Sequence, residues 1–154
     1  MSKNIVICDI DGTISKPGER LKYLQQEPKD WDSFYADCFD DKPIPEMVFL
    51  IRCLYSSSLY SIVFCTGRRE QCREKTRSWL KKNLHLNNLD LVYLPILMRK
   101  DGDLRPDTIV KPELIREAGI DFNDIAFVLE DRKCMVAEYR RLGLICLQPF
   151  EGDF

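Results

Sequence analysis

Short apolar runs alternate with stretches of helical periodicity along the chain. The apolar runs predict five strands, at residues 4–10, 60–65, 89–97, 125–129 and 144–147. Between them, apolar residues at helical spacing predict four helices, at 45–54, 70–82, 112–118 and 133–142, and residues 148–154 form a tail. Alternation of this kind is typical of a mostly parallel sheet with helices on both faces. We therefore predict an α/β fold, a Rossmann-like three-layer sandwich around a five-stranded sheet.

Residues 15–43 interrupt this alternation. The segment mixes aromatic residues with many charges and predicts one or two short helices, the second beginning after Asp30 as the N-cap. We interpret it as a small helical cap insertion over the mouth of a site. Alternatively, its aromatic residues anchor a surface loop to the core, and both can hold. The 154 residues suit a single domain, 1–154.

Composition narrows the class of protein. With 45% hydrophobic and 31% charged residues the chain is an ordinary globular protein, and a net charge of −2 predicts no strong field for nucleic acid. No apolar run approaches the roughly 20 residues of a membrane helix, and the amino terminus lacks the pattern of a signal peptide. Seven cysteines without a Cys-x-x-Cys pair argue against a disulfide framework or a zinc site. A cytoplasmic location is expected, with no membrane partner.

Two carboxylates follow the first apolar run. Alternate side chains of a strand share a face, so Asp9 and Asp11 are expected to project the same way, and Gly12 allows a tight turn after them. Adjacent carboxylates repel each other and lose hydration, so they need a cation or a shared proton. An ordinary Asp-x-Asp-Gly surface turn is the alternative.

Three further polar motifs follow later strands: Thr66-Gly67-Arg68, Lys111 and Glu130-Asp131. Each has a plain interpretation by itself, namely a helix cap, a solvated lysine at a helix start before Pro112, and a salt bridge to Arg132. In a parallel sheet, however, the carboxyl ends of the strands meet at one edge, where ligands bind.

The four motifs in this order resemble the haloacid-dehalogenase (HAD) phosphohydrolase superfamily, whose motifs run Asp-x-Asp-x-Thr, Ser/Thr, Lys and an acidic pair. The resemblance implies a Mg²⁺-dependent phosphomonoesterase. Asp9 would be the nucleophile that forms an aspartyl-phosphate, and Asp11 the general acid and base. Thr66, Gly67 and Arg68 would cradle the phosphate ahead of a helix, beside Lys111. The metal ligands would be Asp9, the backbone carbonyl of Asp11, Asp131 and Glu130, the last of which stands where the family commonly has Asp.

Within the superfamily, nearly the whole chain resembles the phosphatase domain of phage polynucleotide kinase-phosphatases, which removes 3′ phosphates from nucleic-acid ends. Arg20, Asp107 and the tail extend the likeness. It implies that Arg20 and Arg68 bind substrate or phosphate and that Asp107 orients Lys111 by a hydrogen bond. No Gly-x-x-x-x-Gly-Lys-Ser/Thr loop is present, so no kinase half is predicted, and a separate kinase or ligase as a partner in nucleic-acid repair is left open.

Other functions stay open at this point. The same motifs suit a phosphatase of nucleoside monophosphates or other small phosphate esters. A closed aromatic pocket would favour such a small ligand, and an open basic groove would favour a strand. A phospho-acceptor receiver places its acidic pair early in the chain, which argues against that class. A silent binding module is inconsistent with intact Asp9 and Asp11. Self-association into a homo-oligomer is also left open.

Overall fold

A computed structural model describes residues 3–152, so the last two residues of the predicted tail lie outside it. The strands are β1 (Ile5–Cys8), β2 (Ser15–Lys16), β3 (Lys42–Pro43), β4 (Ser61–Arg69), β5 (Ile96–Arg99), β6 (Ile125–Leu129) and β7 (Cys146–Leu147). The α-helices are α1 (Trp31–Ala36), α2 (Pro45–Ser56), α3 (Arg73–Leu84), α4 (Asn88–Tyr93), α5 (Asp107–Glu117) and α6 (Lys133–Arg141). Short 3₁₀ turns cover Gly18–Leu24, Cys38–Asp40, Glu70–Cys72 and Phe122–Asp124.

Five strands form one sheet in the order β5-β4-β1-β6-β7, and every pairing in it is parallel. The predicted α/β sandwich is therefore confirmed. Side chains of central β1 alternate between the two faces. Val6 and Cys8 join the core under α2 and α3, whereas Ile7 joins the core under α5 and α6. None of the helices within residues 3–152 has the length and apolar character of a membrane span.

The predicted strand over 89–97 is wrong in its first half, where the chain forms α4. A capping box explains the difference. The Asn87 side chain accepts a hydrogen bond from the Asp90 N–H at 2.8 Å, and the Asp90 carboxylate accepts one from the Asn87 N–H at 3.3 Å. These bonds satisfy N–H groups at the helix start, so the apolar run that follows becomes helical. Pro95 then restricts the chain to extended backbone ahead of β5.

The helix predicted to open at Pro112 begins five residues earlier, at Asp107. A carboxylate in the first turn complements the helix dipole, and Pro106 at the preceding position has the extended backbone of a helix entry. Pro112 lies inside the helix, one residue after Lys111. Lys111 is consequently on the second turn of α5, where it faces the sheet and is buried.

The segment over 15–43 begins and ends in an antiparallel pair, Ser15 with Pro43 and Lys16 with Lys42. As predicted, Asp30 caps α1, accepting a hydrogen bond from the Ser33 N–H at 2.9 Å. Trp31, Phe34 and Tyr35 of α1 pack on one another with ring centroids 5.2–5.9 Å apart. This aromatic cluster both contacts the core and stands over the carboxyl edge of the sheet.

Candidate active site

A narrow crevice of about 20 Å³ lies at the carboxyl edge of the sheet, between β1, β4 and the aromatic cluster of α1. The sheet side contributes polar residues, and the other side contributes three rings. Apart from the rings, the crevice is lined by residues that include Asp9, Asp11, Thr66, Gly67, Asp107 and Lys111. The structure thus brings these residues together from three parts of the sequence, two at the ends of β1 and β4 and one on α5.

Lys111 is the cationic centre of the crevice. Its Nζ donates to Asp9 Oδ1 and to Glu130 Oε2, both at 2.7 Å, and the residue is 1% exposed. Burial alone would lower the pKa of this amine, but the charges of Asp9 and Glu130 raise it well above its usual value. Lys111 therefore stays protonated between the two acids.

Asp9, Glu130 and Asp131 offer oxygen atoms that all lie within 4.8 Å of one another, and all three residues are buried. Thr13 Oγ1 lies between two of them, 3.2 Å from Asp9 Oδ2 and 3.1 Å from Asp131 Oδ1. Burial, followed by the charge of Asp9, raises the pKa of Asp131 to about 7. Burial and the charge of Glu130 likewise raise the pKa of Asp9, against the opposing effect of Lys111.

This cluster has the composition of a divalent-cation site. Three buried carboxylates share one ammonium, which leaves two negative charges without a partner among them. A hard cation such as Mg²⁺ takes oxygen ligands of this kind and would offset that charge. The Asp11 carboxylate is not among the three acids, and the contribution of its backbone carbonyl stays a prediction.

Two glycines make room for the Asp131 carboxylate. A Cβ at Gly12 would lie 2.2 Å from Asp131 Oδ2, and a Cβ at Gly152 would lie 1.9 Å from the same atom. Both distances are far below van der Waals contact, so any side chain there would displace the carboxylate. Gly12 also has a φ of +85°, which favours glycine independently.

We expect Gly12→Ala to weaken activity and metal-induced stabilisation because the new methyl group pushes Asp131 out of the acidic cluster. Gly143→Ala is the matched control, since Gly143 has nearly the same φ, +82°, and open space around its Cβ position. Both variants carry the backbone strain, of about 1 kcal/mol. Thermal unfolding with and without Mg²⁺ measures the difference, and equal behaviour of the two variants would contradict the role given to Gly12.

The Asp11 carboxylate turns towards two arginines. Arg68 donates to it through Nε at 2.9 Å and Nη2 at 2.6 Å, and Arg20 donates through Nη2 at 2.7 Å. Asp41 completes the cluster by accepting from both arginines. Although burial acts in the opposite direction, Arg68 and Arg20 hold the pKa of Asp11 well below its usual value. The structure thus places Arg20 and Arg68 on Asp11, and their binding of phosphate stays a prediction.

Thr66, Gly67 and Arg68 lie within β4, not at a helix start as predicted. The pairing of β4 with β5 is irregular between Thr66 and Arg69, and α3 begins only after the 3₁₀ turn at 70–72. The Arg68 N–H already donates to Thr66 Oγ1 at 3.2 Å. The anion cradle expected from the Arg68 N–H and a helix terminus is therefore not formed here.

Asp107 does not bind Lys111, contrary to the sequence prediction. Its carboxylate instead accepts hydrogen bonds from Arg99 and Arg132, and it lies against Gly67, where a Cβ would come within 2.9 Å of Oδ2. Arg99 further donates to the Gly67 carbonyl at 3.3 Å. Asp107 thus fastens the start of α5 to β4 and β5, and it reaches Lys111 only through its charge.

Sequence reasoning left several of these residues out of the site. Thr13 was recoverable, since it is the last residue of the Asp-x-Asp-x-Thr motif. Asp41 and Arg99 carry no local signal, because their partners within the site are 8 to 32 residues away in sequence and meet them only in the folded chain. Gly152 likewise gives no local signal, because its role depends on a contact with Asp131, which lies just after β6.

A larger groove, of about 320 Å³, adjoins the crevice. Trp31, Tyr35, Asp107 and Arg132 line both spaces, so the crevice opens into the groove. Four arginines and two aspartates line it, which gives it a positive excess although the whole chain carries a net charge of −2. The site therefore combines a narrow aromatic crevice with an adjoining basic groove.

Comparisons with known proteins place these features in context. Residues 3–154 match the family model described as the polynucleotide kinase PNKP phosphatase domain. A putative bifunctional polynucleotide kinase/RNA ligase of Autographa californica nuclear polyhedrosis virus is 27% identical over 139 residues, which are 90% of this chain and 18% of the viral protein.

Solved structures show the same relationship. A chain in the structure of the Pnkp1/Rnl/Hen1 complex is 29% identical with a TM-score of 0.77, and the match covers 99% of this chain and 48% of that chain. A haloacid dehalogenase-like hydrolase from Streptococcus pneumoniae, 12% identical with a TM-score of 0.58, matches 94% of this chain and 83% of its own and shares the fold. The chain spans less than half the length of the first two relatives.

Proposed function

Because this chain belongs to the polynucleotide kinase PNKP phosphatase domain family, we propose that it removes 3′ phosphates from polynucleotide ends, with Mg²⁺ bound and through an aspartyl-phosphate on Asp9. The prediction of a HAD-superfamily phosphatase, a phosphoric monoester hydrolase, is confirmed by that membership. The cluster of Asp9, Lys111, Glu130 and Asp131 at the edge of the sheet supports the proposed mechanism most directly.

Asp9 would attack phosphorus with a carboxylate oxygen while the bond from phosphorus to the 3′ oxygen breaks. Lys111 keeps the Asp9 carboxylate in place at 2.7 Å and, against the effects of burial and Glu130, lowers its pKa, which favours the ionised form that a nucleophile requires. Thr13 fixes the other oxygen of Asp9 through its hydroxyl. Water would then attack the aspartyl-phosphate, which releases inorganic phosphate and restores the Asp9 carboxylate.

Asp11 would give a proton to the leaving 3′ oxygen and later take one from the attacking water. Its pairing with Arg68 and Arg20 favours the ionised form, which suits the second task. The first task needs a protonated Asp11. We infer that the two arginines shift towards the phosphate when substrate enters, since a phosphate competes with Asp11 for the same guanidinium groups. That shift would raise the pKa of Asp11 at the moment when an acid is needed.

The residues that would hold Mg²⁺ are Asp9, Glu130 and Asp131, with the Asp11 backbone carbonyl. When bound, the cation offsets the repulsion between the nucleophile and the phosphate dianion. Glu130 already forms an ion pair with Lys111, whereas Asp131 accepts its hydrogen bond from the neutral Thr13. We therefore expect Glu130 to contribute less than Asp131 to the affinity for Mg²⁺.

Two observations favour a polynucleotide end over a mononucleotide. The crevice holds about 20 Å³, and it opens into the basic groove described above. A buried nucleoside would not fit in the crevice, so the body of any substrate would extend into that groove, whose excess of arginines would suit the further phosphates of a polynucleotide. The relatives named for polynucleotide kinase/RNA ligase and for the Pnkp1/Rnl/Hen1 complex are longer proteins, which supports a kinase or ligase as a partner of this chain.

Phosphate release from paired substrates tests this proposal. We expect the protein to hydrolyse an oligonucleotide with a 3′ phosphate in the presence of Mg²⁺, with a higher kcat/KM than for 3′ or 5′ mononucleotides, and to stop when EDTA is added. An oligonucleotide with a 5′ phosphate is the control for position. A preference for mononucleotides, or activity that survives removal of the metal, would contradict the corresponding part of the proposal.

A further inference from the structure

The groove beside the crevice has walls of two kinds. Trp31, stacked on Tyr35 at 5.9 Å with ring planes 25° apart, forms an apolar wall. Arg69 at the end of β4 and Arg105 on the loop before α5 stand among the other lining residues, with Leu104 exposed beside them. The groove has a volume of about 320 Å³, which is in the range of sites for compact organic ligands.

Arg69 has an incompletely used guanidinium. Its Nε–H is buried and has no hydrogen-bond partner among the described residues. An unsatisfied buried donor is costly, so an acceptor supplied by a ligand would stabilise it. Among the described residues its ion pair is with Asp32, whose side chain is 70% exposed. Because Asp32 is largely solvated, it contributes little to this pair, so a phosphate can replace it at low cost.

Arg105 is similarly available at the rim. Its side chain is 51% exposed and pairs with Asp103 and Glu113 at 2.8 and 2.9 Å. These pairs hold the guanidinium in position beside the groove without burying it. Planar guanidinium groups on an aromatic-lined groove are the combination that binds a single nucleic-acid strand, by charge on the backbone and by contact with the bases.

We propose that this groove binds the polynucleotide next to its terminal phosphate, with Arg69 and Arg105 on the last internucleotide phosphate and the terminal nucleoside against Trp31. The inference rests on the proposed polynucleotide substrate and deepens it. It makes the groove the feature that separates strands from mononucleotides, because a mononucleotide has no internucleotide phosphate to offer the two arginines.

Substitution of the two arginines tests this inference. We expect Arg105→Gln and Arg69→Gln each to lower the ratio of kcat/KM for a 3′-phosphorylated oligonucleotide to kcat/KM for a 3′ mononucleotide by about tenfold. Arg141→Gln is the matched control, since Arg141 is 68% exposed and paired with Glu138 on α6, outside the groove. Thermal unfolding verifies that the variants fold. If Arg69→Gln does not fold, Arg105→Gln alone tests the inference.

The salt dependence of oligonucleotide binding gives a second measurement, which would not change if the two arginines only stabilised the fold. Binding of a labelled oligonucleotide with a 3′ hydroxyl, measured by anisotropy, should lose about 0.7 of its log–log salt slope for each phosphate contact removed. If the wild type prefers the oligonucleotide but the variants keep the wild-type kcat/KM ratio and salt slope, the groove assignment is overturned and the proposed function stands. No wild-type preference for the oligonucleotide would overturn both.

Discussion

Asp9→Asn should reduce phosphate release by at least about 10⁴-fold, the scale of loss when a covalent nucleophile is removed. An amide cannot form the aspartyl-phosphate, and neither Lys111 nor Thr13 can substitute as a nucleophile while they bind the same side chain. Release of phosphate from an oligonucleotide with a 3′ phosphate, at saturating Mg²⁺, is the measurement.

The same substitution should not harm the fold. In the metal-free protein, Asp9 is one of three clustered carboxylates, and its raised pKa shows that burial and Glu130 disfavour its charge. A neutral amide removes that repulsion and can still accept the bond from Lys111. We therefore expect an unchanged or higher Tm without metal and a smaller rise on adding Mg²⁺. Activity of Asp9→Asn within tenfold of wild type would contradict the nucleophile assignment.

Asp9→Glu separates charge from position. It keeps the carboxylate but moves it by one methylene group into a crevice of about 20 Å³. We expect activity to fall nearly as far as in Asp9→Asn, because attack on phosphorus requires a fixed distance and angle. Such a result would mean that the position of the carboxylate at residue 9, and not its charge alone, determines the rate.

The α/β class of the fold and the position of the site at the strand ends could be predicted because they depend on local patterns. Apolar runs at β1, β4 and β6 mark central parallel strands, and polar residues directly after such runs must meet at one edge. The errors were also local. A capping box at Asn87 turned the first half of a predicted strand into a helix, and an aspartate at 107 moved a helix start. Both effects come from hydrogen bonds or charges at helix ends that apolar periodicity does not record.

The partners of the site residues were not predictable in the same way. Asp107 follows the pattern of a residue that reaches Lys111, four positions on, yet it binds Arg99 and Arg132 from neighbouring elements. Arg20 and Arg68 are far apart in sequence and meet on Asp11. Which acid pairs with which base depends on the full set of charges in the crevice, so it emerges only from the folded arrangement.

Lys111→Met should lower the free energy of unfolding by about 3–5 kcal/mol, the cost of removing one partner from a buried ion pair. Methionine fills a similar volume, so the loss comes from Asp9 and Glu130, which remain buried without their shared donor. The pKa values of both acids are already raised in the folded state. Protonation relieves them at low pH, so the destabilisation should grow as the pH rises from 5 to 8. Urea unfolding at several pH values measures it.

Adding Glu130→Gln to Lys111→Met distinguishes the stabilising role of the lysine from its role in catalysis. The double variant removes one of the two stranded charges, so it should recover part of the lost stability, with a coupling of roughly 1–3 kcal/mol in a double-mutant cycle. Activity should stay low, because Asp9 still lacks the ammonium that orients it and favours its ionised form. Strictly additive effects on stability would mean that Lys111 and Glu130 do not interact in solution. Recovery of activity together with stability would mean that Lys111 serves the fold and not the reaction.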